Sequence, residues 1–340
     1  MGLHTTMIKN YIKLALRSLR KNKTFSAINL LGLAFGLAAA IAVLLYVQDE
    51  MSFEAFHARA DRIVRVNTEA LYGGEEVKLG TAPNVLASFL QERLPEVEVA
   101  TRVFANNFTG AANVRADDHN YAETQLYWAD PNVFKVLTFN LQPGSEAEPL
   151  LRVNTAILSA STARRYFGDD NAIGRTIRVD NYYDLQITGV FEDFPANTNM
   201  PFDIVGSFPG IPFGKPERNS WGNASFYTYL LLRPGSSLPA LESRIAALVA
   251  KDAPAERNSF TFKLQPLLDV HLYSGAMAAF DDQPYGDIGQ VRILIGLAVV
   301  LLLIACINYM NLATAQSQRR AKEVSLNKTL GARSGQLALK

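Results

Sequence analysis

Cysteine is almost missing from this chain of 340 residues: Cys306 is the only one. No intramolecular disulfide can form, and no thiolate zinc site can be assembled. Histidine is scarce as well. His4, His57, His119 and His271 show no spacing of the HExxH kind, so each reads as a surface or turn residue rather than a metal ligand. No serine stands in a nucleophile elbow. Asp117-Asp118, Asp169-Asp170 and Asp281-Asp282 are paired acids, and Asp169-x-Asn171 with Gly174 meets too few positions of a calcium loop. Gly210-Ile-Pro-Phe-Gly214-Lys215 is one residue short of a phosphate loop and has Pro216 where a hydroxyl belongs. No basic stripe interleaved with aromatics points to nucleic acid. These absences exclude a recognisable catalytic centre, metal site or cofactor pocket. A further absence concerns charge: there is none from Phe25 to Val47, none from Ile293 to Met310, and no acidic residue anywhere in 1–48.

The two uncharged runs define the chain. The first is 23 residues long, and at ~1.5 Å per residue it reaches ~34 Å, enough to cross a bilayer. Lys9, Lys13, Arg17, Arg20, Lys21 and Lys23 precede it, and Arg319, Arg320, Lys322, Lys328, Arg333 and Lys340 follow the second against Glu323 alone. Residues 49–290 hold 20 basic and 31 acidic side chains. The net charge of +1 therefore conceals three blocks of +6, −11 and +6. Basic flanks stay on the cytoplasmic side, which predicts both termini inside and 49–290 outside. The first run is too long for a cleaved signal, and it ends on Leu44, Leu45, Tyr46 and Val47 rather than at a small-residue cleavage site. We expect a retained anchor at 25–47 and a second span at 291–313.

Ahead of the first span, Ile8, Tyr11, Ile12, Ala15, Leu16 and Leu19 share one side of a helix, with Lys9, Lys13, Arg17, Arg20 and Lys21 opposite. Such a segment within 1–24 lies on anionic membrane lipid or simply sets topology. Gly32, Gly36 and Ala40 are spaced to let another helix backbone approach.

The outer block of 48–290 is large enough to bury a core without staples. Arg62 to Leu71 alternates as a strand, Ala82 to Leu94 reads as an amphipathic helix and Val97 to Phe104 as a strand. Near the other end the same order recurs: a strand over Ser225 to Arg233, a helix over Leu238 to Ala250, a strand over Phe260 to Leu268. Two strand–helix–strand units make a split, ferredoxin-like α+β lobe, formed by 58–115 and 217–270, with 116–216 inserted as a second lobe. Within the insert, Thr155 to Phe167 reads as a helix, Ile177 to Val179 with Leu185 to Phe191 as a hairpin, and 206–216 as a return linker. The fold class is two transmembrane helices plus an α+β extracytoplasmic domain.

Several segments together resemble permeases of the FtsX/MacB type, the membrane subunits of ABC transporters. They are Arg319-Arg-Ala-Lys-Glu-Val324 with Lys328-x-Leu330-Gly331-Ala332, Asp49-Glu-Met-Ser-Phe-Glu54-x-Phe56-His57, Arg62-Ile63-x-Arg65-Val66, Leu158 to Gly174, and Leu264 to Leu272. The resemblance runs over nearly the whole chain. It implies a non-catalytic, inner-membrane subunit with a MacB-like periplasmic core domain. A cytoplasmic ABC ATPase would supply the energy, a second permease copy would complete a dimer, and a periplasmic adaptor would join some assemblies. It also implies that ATP-driven motion is relayed through the spans so that the outer domain acts on drug, peptide or lipid-type substrates. Carried onto this chain, Arg320, Glu323, Val324, Lys328, Leu330, Gly331 and Ala332 would form the ATPase-coupling element, although Ser325 and Asn327 stand where the family commonly has Gly and a cation. Because that family carries four spans, we expect the natural chain to continue past Lys340. A two-span receptor with a periplasmic ligand-binding domain has the same layout, and would need a coiled-coil stalk where Gly331 makes a turn. A membrane-tethered hydrolase would need a catalytic constellation.

Overall fold

A computed structural model describes residues 23–72, 74–106, 110–168, 171–214, 220–253, 260–277 and 285–330. The basic amphipathic segment expected before residue 23 lies outside them. The chain divides into two compact units, residues 1–49 with 289–340, and residues 50–288.

In the first unit, helix α1 (Lys23–Glu50) and the part up to Asn311 of a helix of 42 residues beginning at Ile288 carry apolar side chains on every side. Ile28, Leu31, Phe35 and Ile41 on one, and Ile293, Val299, Leu303 and Ile307 on the other, are exposed. Apolar faces all round suit a hydrocarbon solvent rather than a water-facing groove. Leu30–Glu50 and Ile288–Asn311 are long and apolar enough to cross a membrane. The two helices meet closely at the small residues of α1. A Cβ on Gly32 would stand 3.2 Å from Asn308 Nδ2, and one on Gly36 would stand 3.5 Å from Ala305 Cβ. Ala40, Ala298 and Ala305 are buried.

The second unit runs in the order β1 (Ile63–Tyr72), β2 (Glu75–Leu79), α2 (Leu86–Arg93), β3 (Val97–Ala105), β4 (Ala112–Ala116), β5 (His119–Glu123), β6 (Leu126–Ala129), β7 (Thr155–Ser159), α3 (Ala160–Phe167), β8 (Thr176–Val179), β9 (Tyr183–Phe191), β10 (Ile204–Ser207), β11 (Tyr227–Leu232), α4 (Leu238–Asp252), β12 (Thr261–Pro266) and a single turn α5 (Val270–Tyr273). The long helix that follows, Ile288–Thr329, is α6. One sheet takes in all the described strands, in the order β12-β1-β11-β3-β6-β10-β7-β9-β8-β4-β5, with β2 beside the far half of β1.

The first four strands pair antiparallel, and α2 and α4 bridge them in the ferredoxin-like manner. Alternation explains why. In β1, Val64 and Val66 face the helices and Ile63 faces the opposite core, so a central strand buries both sides. Leu241, Ile245 and Val249 form one stripe of α4, and burying them stabilises by roughly 2 kcal/mol each.

The insert continues this sheet rather than folding apart from it: β6 pairs with β3, and Tyr127, Ile157, Phe191 and Val205 share a core with Ile63, Tyr229 and Leu231. Three expectations need correction. Ala112–Ala116 pairs with β5 and β8, so the insert begins directly after β3 and not at residue 116. Thr155 to Phe167 is not one helix. Thr155–Ser159 is a fully buried strand parallel to β9, and the helix starts only where Ser159 caps Thr162 N–H at 3.3 Å. The stretch 206–216 is likewise part strand, since β10 ends at Ser207.

Candidate functional site

The chain enters the second unit at Glu50 and leaves it at Ile288, and the residues beside both crossings converge on one polar cluster. The segment after α1 cannot stay helical: Glu54 takes a left-handed backbone with φ +61°, a conformation costly for any residue with a side chain. The bend is fixed from both sides. Glu54 N–H donates to Asn197 O at 3.1 Å, and Asn197 Nδ2 donates to Ser52 Oγ at 2.8 Å. It turns the Glu54 side chain inward, where it is 3% exposed.

There the carboxylate accepts from Asn199 N–H at 2.6 Å, from Thr198 Oγ at 3.0 Å and from His57 Nε2 at 3.2 Å. Thr138 N–H donates to His57 Nδ1 at 3.0 Å. That bond needs the Nδ1 lone pair, so the ring proton sits on Nε2 and points at Glu54.

Asn199 carries the network onward. Its Oδ1 lies 2.9 Å from His271 Nδ1, and His271 Nε2 lies 3.1 Å from Glu50 Oε2. Phe53 stacks on the His271 ring at 3.4 Å and 9°. Gly286 closes over this pair, where an added Cβ would stand 2.6 Å from Glu50 Oε2 and 2.7 Å from His271 Nε2. A side chain at this position would displace the Glu50 carboxylate or the His271 ring.

A second anchor lies alongside. Arg65 of β1 is 1% exposed and donates to Asn67 Oδ1, Gln265 Oε1, Ser274 Oγ and Tyr285 OH, at 2.9 to 3.1 Å. It thereby ties Gln265 of β12, Ser274 and Tyr285 to β1. Gly80 leaves room for the guanidinium, 3.2 Å from where its Cβ would be.

His57 and His271 read in the sequence as surface or turn residues; both are buried and hydrogen-bonded, each 4% exposed, with His57 in the turn region after α1. The acids of 49–54 and the short 264–272 segment meet although about two hundred residues separate them. Asn199 and Gly286 had no distinguishing pattern in the sequence. Glu50, Glu54 and His57 did leave one, polar residues at intervals of four and three directly behind an apolar span.

The segment expected to couple to an ATPase lies elsewhere. Arg320, Glu323, Val324 and Lys328 fall in the last turns of α6, with Leu330 just beyond its end, and Val324 and Leu330 are exposed. Gly331 and Ala332 lie outside the described residues, as do the side chains of Arg320, Glu323 and Lys328. Among the described residues, no group of three or more His, Cys, Asp or Glu is placed to hold a metal ion.

The sequence profile of the MacB-like periplasmic core domain matches residues 26–248. The chain belongs to that family. It is a permease subunit of the ABC transporter type, an inner-membrane protein with a periplasmic segment, and MacB-like permeases work with cytoplasmic ABC ATPases. No curated protein sequence matches it. A crystal structure of a permease-protein domain from Porphyromonas gingivalis is similar at 26% identity and TM-score 0.54, covering 62% of this chain and 91% of that one. The periplasmic region of MacB from Actinobacillus actinomycetemcomitans matches at 12% identity and TM-score 0.43, covering 62% and 91%. The extracellular domain of the ABC-type transporter YknZ from Gram-positive bacteria matches at 12% and 0.42, covering 60% and 99%. Of the cluster, Glu50, Glu54, His57 and Asn199 fall inside the profile match, and His271 and Gly286 fall beyond it.

Proposed function

We propose that this MacB-like permease relays ATP-driven motion of a cytoplasmic ATPase dimer to its periplasmic domain, which then acts on a drug, peptide or lipid-type substrate. Both termini are cytoplasmic, residues 49–290 are periplasmic, and the working form contains a second permease copy with a periplasmic adaptor as a further partner. The charge partition supports the reading best. Blocks of +6, −11 and +6 fall on either side of two apolar helices, as the positive-inside rule requires for an outer domain between inner ends. Reporter fusions after residue 200 and after 340 test the topology: the first should be exported, the second retained, and the reverse overturns it.

Coupling itself rests on 319–332. That sequence, several cations and one acid, Glu323, ahead of Gly331, suits a charged partner surface. In the full-length permease, Glu323→Arg or Gly331→Pro should abolish stimulation of the partner ATPase while insertion stays intact. Unchanged stimulation would remove the assignment.

A further inference from the structure

Glu50 and Glu54 lie one helical turn apart in sequence, and their surroundings differ in kind. The Glu54 carboxylate is sealed in and takes donors from three residues, two of them on the 198–199 segment of the insert. Glu50 is partly open to solvent and reaches His271 through one oxygen at 3.1 Å. Behind His271, Asn199 Nδ2 is buried and finds no acceptor among the described residues. One bond at a partly exposed edge opens more readily than three in the interior, by about tenfold or more.

Gly286 gives this edge its purpose. Glu50 closes α1, and Gly286 stands two residues ahead of α6. Glu50 Oε2 lies 3.1 Å from His271 Nε2, and a Cβ added to Gly286 would stand 2.7 Å from the same nitrogen, so the incoming and outgoing chain pass close together at His271. Arg65 bonds Ser274, three residues after His271, and Tyr285, the residue before Gly286.

We propose that Glu50, His271 and Gly286 form a breakable latch at the root of the periplasmic domain, and that Glu54 with His57, Thr198 and Asn199 is its fixed seat. Closed, the latch holds residues 50 and 286 together on one ring. Open, the two connections part while the seat stays formed, so movement of either span is passed to α5 and to 285–287 while 198–199 holds still. His271 and Gly286 are positioning residues for the relay, and the idea rests on the transporter reading above.

Hydrogen exchange on the 340-residue chain in nanodiscs tests the latch. Gly286→Ala forces a Cβ into the pair, and Glu50→Ala opens it with no added bulk, which guards against a misfolded first variant. Both should speed exchange in 270–274 and 285–287 by about tenfold, leaving the amides of Asn199 and Thr138 unchanged. Equal acceleration at Asn199 and Thr138, or none in Glu50→Ala, overturns the latch. In the full-length permease with its ATPase, ATP should raise exchange at 285–287. A nucleotide response elsewhere in the domain but not there overturns the latch alone. No response anywhere in the domain overturns the relay, and the latch's role with it.

Discussion

Replacing Glu54 by glutamine changes one oxygen for an amide and should nevertheless destabilise the periplasmic domain. In the wild type both carboxylate oxygens accept: one from Asn199 N–H, the other from His57 Nε2. Glutamine keeps one acceptor, which the fixed Asn199 amide claims at 2.6 Å. Its NH2 then faces the His57 Nε2 proton. The ring cannot escape by moving that proton, because Nδ1 would then meet Thr138 N–H, 3.0 Å away. Whichever nitrogen is protonated, a donor is buried against a donor, at about 2–3 kcal/mol. Glu54→Ala orphans both fixed donors and leaves a void, while Thr198 Oγ can turn away, for a total of about 3–5 kcal/mol. Glu54→Gly makes the same loss but relaxes the left-handed backbone at φ +61°, so it should be more stable than the alanine variant by about 1 kcal/mol. Trp128 and Trp221, the two tryptophans, both lie in this unit, so fluorescence during urea unfolding in detergent reports on it alone. A glutamine variant within about 0.5 kcal/mol of wild type, or glycine below alanine, would refute the proton assignment or the strain.

Gly206→Ala should destabilise the same unit by about 1–3 kcal/mol, the usual penalty of overpacking, because its Cβ would stand 2.5 Å from the Trp128 ring; a wild-type midpoint in the same fluorescence assay would exclude the clash. Gly36→Leu should drive α1 away from Ala305 and abolish cross-linking between cysteines placed on α1 and α6, and retained cross-links would refute the packing role of Gly32, Gly36 and Ala40. Burial, then the hydrogen bond it donates to Glu123, pushes the Tyr166 phenol far above the ordinary tyrosine range. The native state then binds more protons than the unfolded chain once pH passes about 10. Stability should fall with further rise in pH, and Tyr166→Phe should flatten that fall; an unchanged slope would count against it.

The ferredoxin-like half was legible because its signals are local. Strands at Arg62 to Leu71 and Val97 to Phe104, and the helix from Leu238, alternate or recur with their own period, and the structure moves their ends by a residue or two. The insert was less so. Thr-Ala-Ile-Leu-Ser at 155–159 is buried at every position, so it shows no period of two, and it runs straight into the real helix α3. That β7 lies between β9 and β10 depends on partners tens of residues away. No local pattern encodes such pairings, which is why the continuation of one sheet through the insert was not visible. At the cluster, sequence marked the acids and the histidines but not their burial, since a lone histidine in a turn and one clamped between Asn199 and Glu50 look alike on the page.

The segments that carried the family resemblance make physical sense together. Asp49 to His57, Arg62 to Val66 and Leu264 to Leu272 are distant in the chain, yet Glu50, Glu54, Arg65, Gln265 and His271 occupy one region where the chain enters and leaves the domain. Bulk apolar packing would tolerate exchange at such positions. A buried network does not, because each lost partner leaves a donor or acceptor stranded. Polar residues at the root of a domain hung between two spans therefore specify one arrangement of the two connections. A domain that had only to fold could have filled the same space with leucine at less risk. The polar solution is consistent with the latch proposed above at the Glu50–His271 contact, which is made through one carboxylate oxygen and is partly open to solvent.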